Sequence, residues 1–238
     1  HPRVPGFACE RHAGRRLNMI DPNRSVLAAH LRAGLRDLAL DLPESSVDHL
    51  LQYLALIGQW NRVYNLTAVR EPEAMLRQHL LDCLAIVGPL RRALTSGAPR
   101  RLLDVGSGAG LPGVVLAICE PDWQVTCVDT VAKKASFIRQ VAAELALPNL
   151  HAVHQRVEDM PAGSRFDLVT SRAFATLADF VALTRERLTQ GGVWVAMKAH
   201  LTGDERQGVP TGVDMFHVEP LSVPGLDAAR CLVWMRPG

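Results

Sequence analysis

The chain contains 238 residues, of which 48% are hydrophobic and 21% are charged, and its formal net charge at pH 7 is +2. This composition is typical of a globular protein and excludes disorder over most of the chain. The length corresponds to one large domain or to a domain with an appendage. No apolar run reaches the roughly 18 residues of a transmembrane helix, so we expect no contact with a membrane.

The five cysteines are odd in number and far apart, and no two of them form a Cys-x-x-Cys pair. This spacing argues against a disulfide framework and against a zinc site. No other set of His, Cys, Asp or Glu has metal-ligand spacing, so no metal is expected. The first residues lack the apolar core of a secretory signal. We therefore predict a cytoplasmic protein with free thiols.

Positive charge is concentrated at the start of the chain. Residues 1–36 contain seven arginines but only two acidic residues. We predict a flexible basic arm over residues 1–25. Such an arm either contacts nucleic acid or is a solvated tail, and the sequence does not decide between the two.

Helical periodicity dominates the next part of the chain. Leucines recur every three or four residues between positions 26 and 40. Pro43 and Glu44 open a second amphipathic helix that runs to position 64, and Pro72 opens a third. We predict a helical N-terminal part over residues 26–95.

Short β-like runs alternate with helical stretches after position 96. The first run ends at Gly106, and the others cover 124–129, 150–155, 167–171, 193–198, 213–221 and 231–236. Strand–helix alternation predicts a mostly parallel sheet with helices on both faces. No long helix separates the last two runs, so we expect an antiparallel terminal hairpin at one edge. The prediction for residues 96–238 is therefore a seven-stranded α/β domain.

A glycine-rich turn follows the first predicted strand and reads Asp104-Val-Gly-Ser-Gly-Ala-Gly-Leu-Pro-Gly113. Glycines let a ligand approach the backbone closely because they have no Cβ atom. In an open α/β sheet, ligands bind beyond the carboxyl ends of the strands. We therefore interpret the turn as a cofactor-binding loop.

Two cofactor classes compete for this loop. Gly108 to Gly113 matches the GxGxxG dinucleotide fingerprint, but that match alone is a weak signal. Asp129, at the end of the second predicted strand, suits the ribose hydroxyls of NAD and of S-adenosylmethionine equally. Asp104 favours S-adenosylmethionine, because a carboxylate suits a cationic ligand better than a pyrophosphate. A seven-stranded sheet with an antiparallel end also fits the Rossmann-like fold of class I methyltransferases.

Four motifs then point to one family. They are Trp60-Asn-Arg-Val-Tyr-Asn-Leu-Thr67, His79-Leu-Leu-Asp82, the turn Asp104–Gly113 and Ser171-Arg-Ala-Phe-Ala175. Together they resemble the bacterial 16S rRNA (guanine-N7) methyltransferases of the RsmG, or GidB, family over about residues 26–236. The resemblance implies a helical part packed on a methyltransferase domain. It also implies methyl transfer from S-adenosylmethionine to N7 of one guanine in the decoding region of 16S rRNA, either free or in the 30S subunit.

The resemblance further implies a set of cofactor contacts: Gly106, Gly108, Leu111, Asp129, Val157, Glu158 and Arg172. The glycine loop would line the methionine half, Asp129 would hold the ribose hydroxyls, and the pair after the third strand would lie beside the adenine. Arg172 would contact the cofactor or the substrate. No catalytic base is assigned, because guanine N7 has an in-plane lone pair and loses no proton on methylation. Alignment of the reacting atoms then supplies most of the catalysis.

Lysine is rare, with three lysines against 23 arginines. Lys133, Lys134 and Lys198 all lie near carboxyl ends of predicted strands, which favours contacts with RNA phosphates. A solvated rim is an equally good explanation. Tyr64 and Phe174 are candidates to stack a flipped base, although core packing is the commoner role of such rings.

Other functions remain compatible with the cofactor loop. A small-molecule methyltransferase would use the helical N-terminal part as a lid. A cofactor-binding RNA chaperone or ribosome assembly factor would show no turnover, and an NAD-dependent oxidoreductase would bind a different cofactor. The sequence has neither an Asn/Asp-Pro-Pro-Tyr run, which grips an exocyclic amine, nor a Pro-Cys nucleophile for carbon methylation.

Overall fold

The computed structural model describes residues 22–94, 100–172 and 176–238. Most of the predicted basic arm, residues 1–21, lies outside the described residues, as does Phe174. The predicted boundary of the arm at residue 25 is wrong, because residues 22–25 already belong to the first helix. Proline is favoured in the first turn of a helix, which explains a start at Pro22.

The N-terminal part is helical, as the sequence predicted. It contains α1 (Pro22–Asp37), α2 (Glu44–Tyr64), α3 (Pro72–Met75), α4 (Asp82–Leu84) and α5 (Val87–Ala93). A π-helical segment, Leu76–Leu81, joins α3 to α4. The spacing of apolar residues did not reveal this segment. Such segments are rare and are often found at functional sites.

The rest of the described chain forms a seven-stranded sheet with strand order β3-β2-β1-β4-β5-β7-β6. The strands are β1 (Arg101–Val105), β2 (Gln124–Asp129), β3 (Leu150–His154), β4 (Phe166–Ser171), β5 (Leu188–Lys198), β6 (Val213–Leu221) and β7 (Arg230–Pro237). Strands β1 to β5 are parallel, and β7 runs antiparallel to both β5 and β6. The predicted Rossmann-like architecture with an antiparallel terminal hairpin is confirmed.

Strand β5 starts five residues before the predicted position 193. Gly191 and Gly192 lie within the part of β5 that the sequence analysis left out. The pairing of β4 with β5 shifts register near this point, and Gly191 adopts a φ of +80°. An irregularity of this kind lets a strand pass through glycines that would otherwise end it.

Helices cover both faces of the sheet. The connecting helices are α6 (Gly113–Cys119), α7 (Ala132–Glu144), α8 (Leu177–Thr184) and α9 (Gly203–Gln207). One buried cluster joins α1, α2, α6 and α7 to one face, and a second joins α8 to the other. The consecutive β1 residues Leu102 and Leu103 point to opposite faces and belong to different clusters, as expected of a strand buried on both sides.

This topology brings several chain segments to one edge of the sheet. The carboxyl ends of β1 to β5 meet there, and so does the first residue of β7, because β7 runs in the opposite direction. Within the described residues, no helix is long and apolar enough to span a bilayer.

Candidate cofactor and substrate site

The loop between β1 and α6 turns on three glycines with positive φ, namely Gly106 at +67°, Gly108 at +58° and Gly110 at +95°. A Cβ atom added at Gly106 or Gly108 would meet no atom within 4 Å. One added at Gly110 would lie 2.3 Å from Cγ2 of Val114. The first two glycines therefore border open space, whereas the third allows the turn to pack against α6.

Asp104 lies fully buried beneath this loop. Its Oδ2 accepts a hydrogen bond of 2.8 Å from the amide of Gly113, and its Oδ1 has no partner among the described residues. A Cβ atom at Gly113 would lie 2.8 Å from that Oδ2 and 2.4 Å from Sγ of Cys127, so glycine is required there. Burial raises the pKa of Asp104 to about 7. An unpaired buried oxygen is costly and suits a hydrogen-bond donor or a cation supplied by a ligand.

Asp129, at the end of β2, ties the glycine loop to the start of α7. Its Oδ2 accepts from the amide of Gly108 and its Oδ1 from the amide of Val131, both at 2.9 Å. Each carboxylate oxygen keeps a further lone pair, so hydrogen bonds from ribose hydroxyls remain possible in addition to these. Gly108 and Asp129 are thus in direct contact.

The remaining predicted cofactor residues differ in exposure. Leu111 is buried, and its amide donates to the carbonyl of Ser107 at 3.0 Å. Val157 is buried in the 3-10 helix Val157–Asp159 that follows β3. Glu158 stands at the surface, where Arg156 donates to it at 3.0 Å.

Helix α2 contacts the glycine loop through the side chain of Tyr53, which the sequence analysis did not predict. The hydroxyl of Tyr53 is fully buried and donates to the carbonyl of Ala109 at 2.6 Å. The sequence analysis did not single out Tyr53, because nothing local in α2 indicates which part of the chain it would contact.

A second cluster forms around the buried carboxylate of Asp82. Its Oδ1 accepts from Nε of Arg230 at 2.9 Å, and its Oδ2 lies 3.4 Å from Nη1 of Arg172. Arg172 also donates to the carbonyl of Gln78 at 3.1 Å. Arg172 follows β4 and Arg230 begins β7, so the sheet brings both to the same edge. Sequence analysis did not single out Arg230, because its position depends on β7 lying beside β5.

His79 links this cluster to the first sequence motif. Its Nε2 lies 2.7 Å from Oγ1 of Thr67, and Nη2 of Arg172 lies 3.5 Å from its Nδ1. Burial and the positive charge of Arg172 lower the pKa of His79 to about 4, so the ring is neutral at pH 7.

A cavity of about 310 Å³ opens over this cluster. It is lined by Gln78, His79, Asp82, Arg172, Met197, Lys198, Ala199 and Arg230. Three of these side chains are cationic. Arg172 and Arg230 are balanced in part by Asp82, and Lys198 by Glu205 of α9, at 2.5 Å.

The three predicted RNA-binding lysines are not brought together. Lys198 lines the cavity at the end of β5. Lys133 and Lys134 lie in the first turn of α7, after β2, and neither has an ion-pair partner among the described residues. Strands β1 and β4 separate β2 from β5, so the cluster expected from sequence is two separate features. In the described part of the chain, no group of His, Cys, Asp or Glu is arranged to hold a metal ion.

Comparison with known proteins places these residues in a family context. Residues 46–233 match the family model described as rRNA small subunit methyltransferase G, GidB. Relatives named ribosomal RNA small subunit methyltransferase G include one from Methylibium petroleiphilum, 59% identical over 89% of this chain and 95% of its own. Another, from Leptothrix cholodnii, is 56% identical over 92% of this chain and 97% of its own.

Solved structures that resemble this one are more distant in sequence. The glycopeptide N-methyltransferase MtfA matches with a TM-score of 0.51 and 18% identity, over 71% of this chain and all of its own. A mutant of MtNAS in complex with S-adenosylmethionine matches with a TM-score of 0.55 and 15% identity, over 91% of this chain and 97% of its own. At these identities the likeness supports the fold. The sequence match spans four-fifths of the chain and includes both residue clusters, and the chain belongs to the rRNA small subunit methyltransferase G family.

Proposed function

We propose that this protein transfers a methyl group from S-adenosylmethionine to N7 of one guanine in the decoding region of 16S rRNA. The observation that carries the proposal is the family match over residues 46–233, which spans the glycine loop, the cluster around Asp82 and Arg230. S-adenosylmethionine-dependent methylation of small-subunit rRNA is the activity of this family. The choice of N7, of the decoding region, and of free rRNA or the 30S subunit as substrate belongs to the proposal, as does a cytoplasmic location.

The residues around the glycine loop fit S-adenosylmethionine. The space beside Gly106 and Gly108 admits a ligand against the backbone. The Oδ1 of Asp104 has no partner among the described residues, which leaves a buried polar atom suited to a hydrogen-bond donor of the ligand. Asp129 would accept the ribose hydroxyls, Leu111 would line the methionine half, and Val157 and Glu158 would border the adenine. When bound, this cofactor supplies an electrophilic methyl group on a sulfonium.

The second cluster fits a guanine that is methylated without a base. The neutral ring of His79 has both nitrogens engaged, so it is poorly suited to accept a proton. Methylation at N7 requires no proton removal, and orientation of the guanine is the main task of the site. The cationic lining of the cavity from Arg172, Arg230 and Lys198 would hold a phosphate of the substrate. Lys133 and Lys134 would add phosphate contacts at the start of α7.

Radioactive methyl transfer tests the proposal directly. The protein is incubated with tritiated S-adenosylmethionine and, in parallel, with 30S subunits, naked 16S rRNA and a metabolite pool. We expect label at a single guanine of 16S rRNA, located by strand cleavage at 7-methylguanosine. Label confined to metabolites would show a small-molecule methyltransferase. Cofactor binding without any transfer to RNA would show a non-catalytic assembly factor.

A further inference from the structure

An exposed aromatic ring stands at the end of α2. Tyr64 is 43% exposed, and the neighbouring Val63 is 72% exposed. The orientation of the Tyr64 ring is restricted by its contact with Trp60, with ring centroids 4.9 Å apart. Trp60 in turn meets Phe137 of α7 edge-on, at 5.2 Å. A chain of aromatic contacts thus holds an exposed ring on a rigid support between α2 and α7.

The two chain segments that carry this ring and its support are rich in positive charge. Residues 58–70 contain Arg62 and Arg70, residues 130–139 contain Lys133, Lys134 and Arg139, and neither segment contains an acidic residue. Arg70 is engaged by the side chain of Asn65 and the carbonyl of Asn61. Arg62, Lys133 and Lys134 have no ion-pair partner among the described residues. Arg62 lines a cavity between α1 and α2 with Asn23 and Leu27, so we define the α2–α7 surface as Val63, Tyr64, Lys133 and Lys134.

The chain segments that carry this surface also contribute residues to both halves of the site. Lys133 lies four residues after Asp129, whose carboxylate accepts from the amide of Val131. On the other side, Tyr64 lies three residues before Thr67, whose hydroxyl is 2.7 Å from His79.

We propose that the α2–α7 surface binds an unpaired segment of the rRNA substrate, with one base stacked on Tyr64 and backbone phosphates on Lys133 and Lys134. The proposal rests on the proposed function and adds the contact surface for the RNA. Unpaired RNA bases stack on exposed aromatic rings, while nearby cations follow the backbone. A single ring among unbalanced cations is unlike the core of a protein interface, which is depleted in charge. The chemistry of the surface thus favours single-stranded nucleic acid.

Binding of a fluorescently labelled single-stranded RNA tests the surface without any need for turnover. We expect Tyr64→Ala to weaken binding about tenfold, within the range for loss of one base–aromatic stack. Tyr64→Phe keeps the ring and should bind as the wild type does. Lys133→Ala and Lys134→Ala should each lower the slope of log K against log salt by about 0.7, the value for one phosphate contact on a single strand.

Phe216→Ala is the matched control, because Phe216 is 41% exposed but lies on β6 at the far edge of the sheet. Wild-type affinity in Tyr64→Ala overturns the proposal. An equal loss of affinity in Tyr64→Phe, or an equal loss in Phe216→Ala, also overturns it.

The surface and the proposed function can fail separately. If the wild type binds RNA through Tyr64 but transfers no methyl to rRNA, the proposed function fails and the surface stands. If it methylates rRNA but Tyr64→Ala binds normally, the surface fails and the function stands. Affinity for S-adenosylhomocysteine should be the same in all these variants.

Discussion

Two buried titratable side chains, one in each cluster of the site, have pKa values that move in opposite directions. His79 titrates at about 4 because burial and Arg172 both disfavour its charged form. Asp104 titrates at about 7 because burial disfavours its carboxylate more than the Gly113 amide favours it. Both shifts keep the neutral form of a group that has been removed from water. At the scale of residues, the site is thus arranged to limit isolated buried charge.

His79 should make the stability of the protein depend on pH. Its pKa in the folded state lies below the ordinary value of 6.5, so the folded state resists protonation. Its contribution is fully present above pH 6.5 and is lost as the pH falls to about 4, a change of about 3 kcal/mol. We expect the difference in unfolding free energy between wild type and His79→Gln to be largest above pH 6.5 and to shrink towards pH 4. Urea denaturation across this range measures it.

The comparison must be made between variants at each pH, because Asp104 acts in the opposite sense. Its raised pKa penalises the folded state as the pH increases from about 4 to about 7. Subtracting the wild-type curve removes that contribution. His217→Gln, at an exposed histidine of β6, is the control. A stability difference for His79→Gln that did not vary with pH would contradict a neutral, buried His79.

The glycine loop requires glycine for two different reasons, a positive φ at some positions and a lack of space for a Cβ atom at another. Gly106 and Gly108 have positive φ and border open space, whereas Gly113 sits where any Cβ atom would strike Asp104 and Cys127. The sequence pattern made these glycines equivalent. In the structure, the first two adopt left-handed backbone conformations beside open space, whereas the last allows α6 to pack on β1 and β2.

These demands predict different effects of alanine at two positions. Gly106→Ala should cost about 1 kcal/mol of stability, the price of a left-handed conformation in a non-glycine residue. It should also clearly weaken S-adenosylhomocysteine binding, because its methyl group enters the open space. Gly113→Ala should cost more stability, about 1–3 kcal/mol, since it overpacks a buried site. Thermal unfolding and calorimetric titration measure the two effects. Unchanged cofactor affinity in Gly106→Ala would contradict the assignment of this loop.

At the scale of the whole molecule, the helical part and the α/β part share one hydrophobic core. The larger buried cluster includes Leu31 of α1, Leu50 of α2, Leu102 of β1 and Phe137 of α7. Tyr53 adds a buried hydrogen bond from α2 to the glycine loop. Since α1 and α2 bury their apolar faces against the sheet domain, neither part keeps a complete core without the other.

We therefore expect a single cooperative unfolding transition. Trp60 is the one tryptophan before residue 100, and the other three, Trp123, Trp194 and Trp234, belong to the α/β part. Fluorescence thus reports mainly on the sheet, whereas circular dichroism at helical wavelengths includes the N-terminal helices. Coincident denaturation curves from the two probes are the expected result. Two separated transitions would show that the helical part unfolds independently.

The fold class and the order of strands and helices along the chain could be predicted from the amino-acid sequence, and the sequence also indicated a candidate cofactor loop. These features are local: apolar periodicity sets each element, and Asp104 to Gly113 combines a strand end, glycines and a helix start within ten residues. Asp129 could be paired with that loop because neighbouring parallel strands end at the same edge. The family resemblance added the expected chemistry.

Tertiary structure alone decided which distant side chains meet. Arg230 reaches Asp82 because β7 inserts beside β5 in reverse direction, and Lys198 is separated from Lys133 and Lys134 because two strands lie between β5 and β2. The π-helical segment and the support of Ala109 by Tyr53 likewise depend on packing between elements far apart in the chain. Such contacts arise from strand order and burial, which local periodicity does not encode.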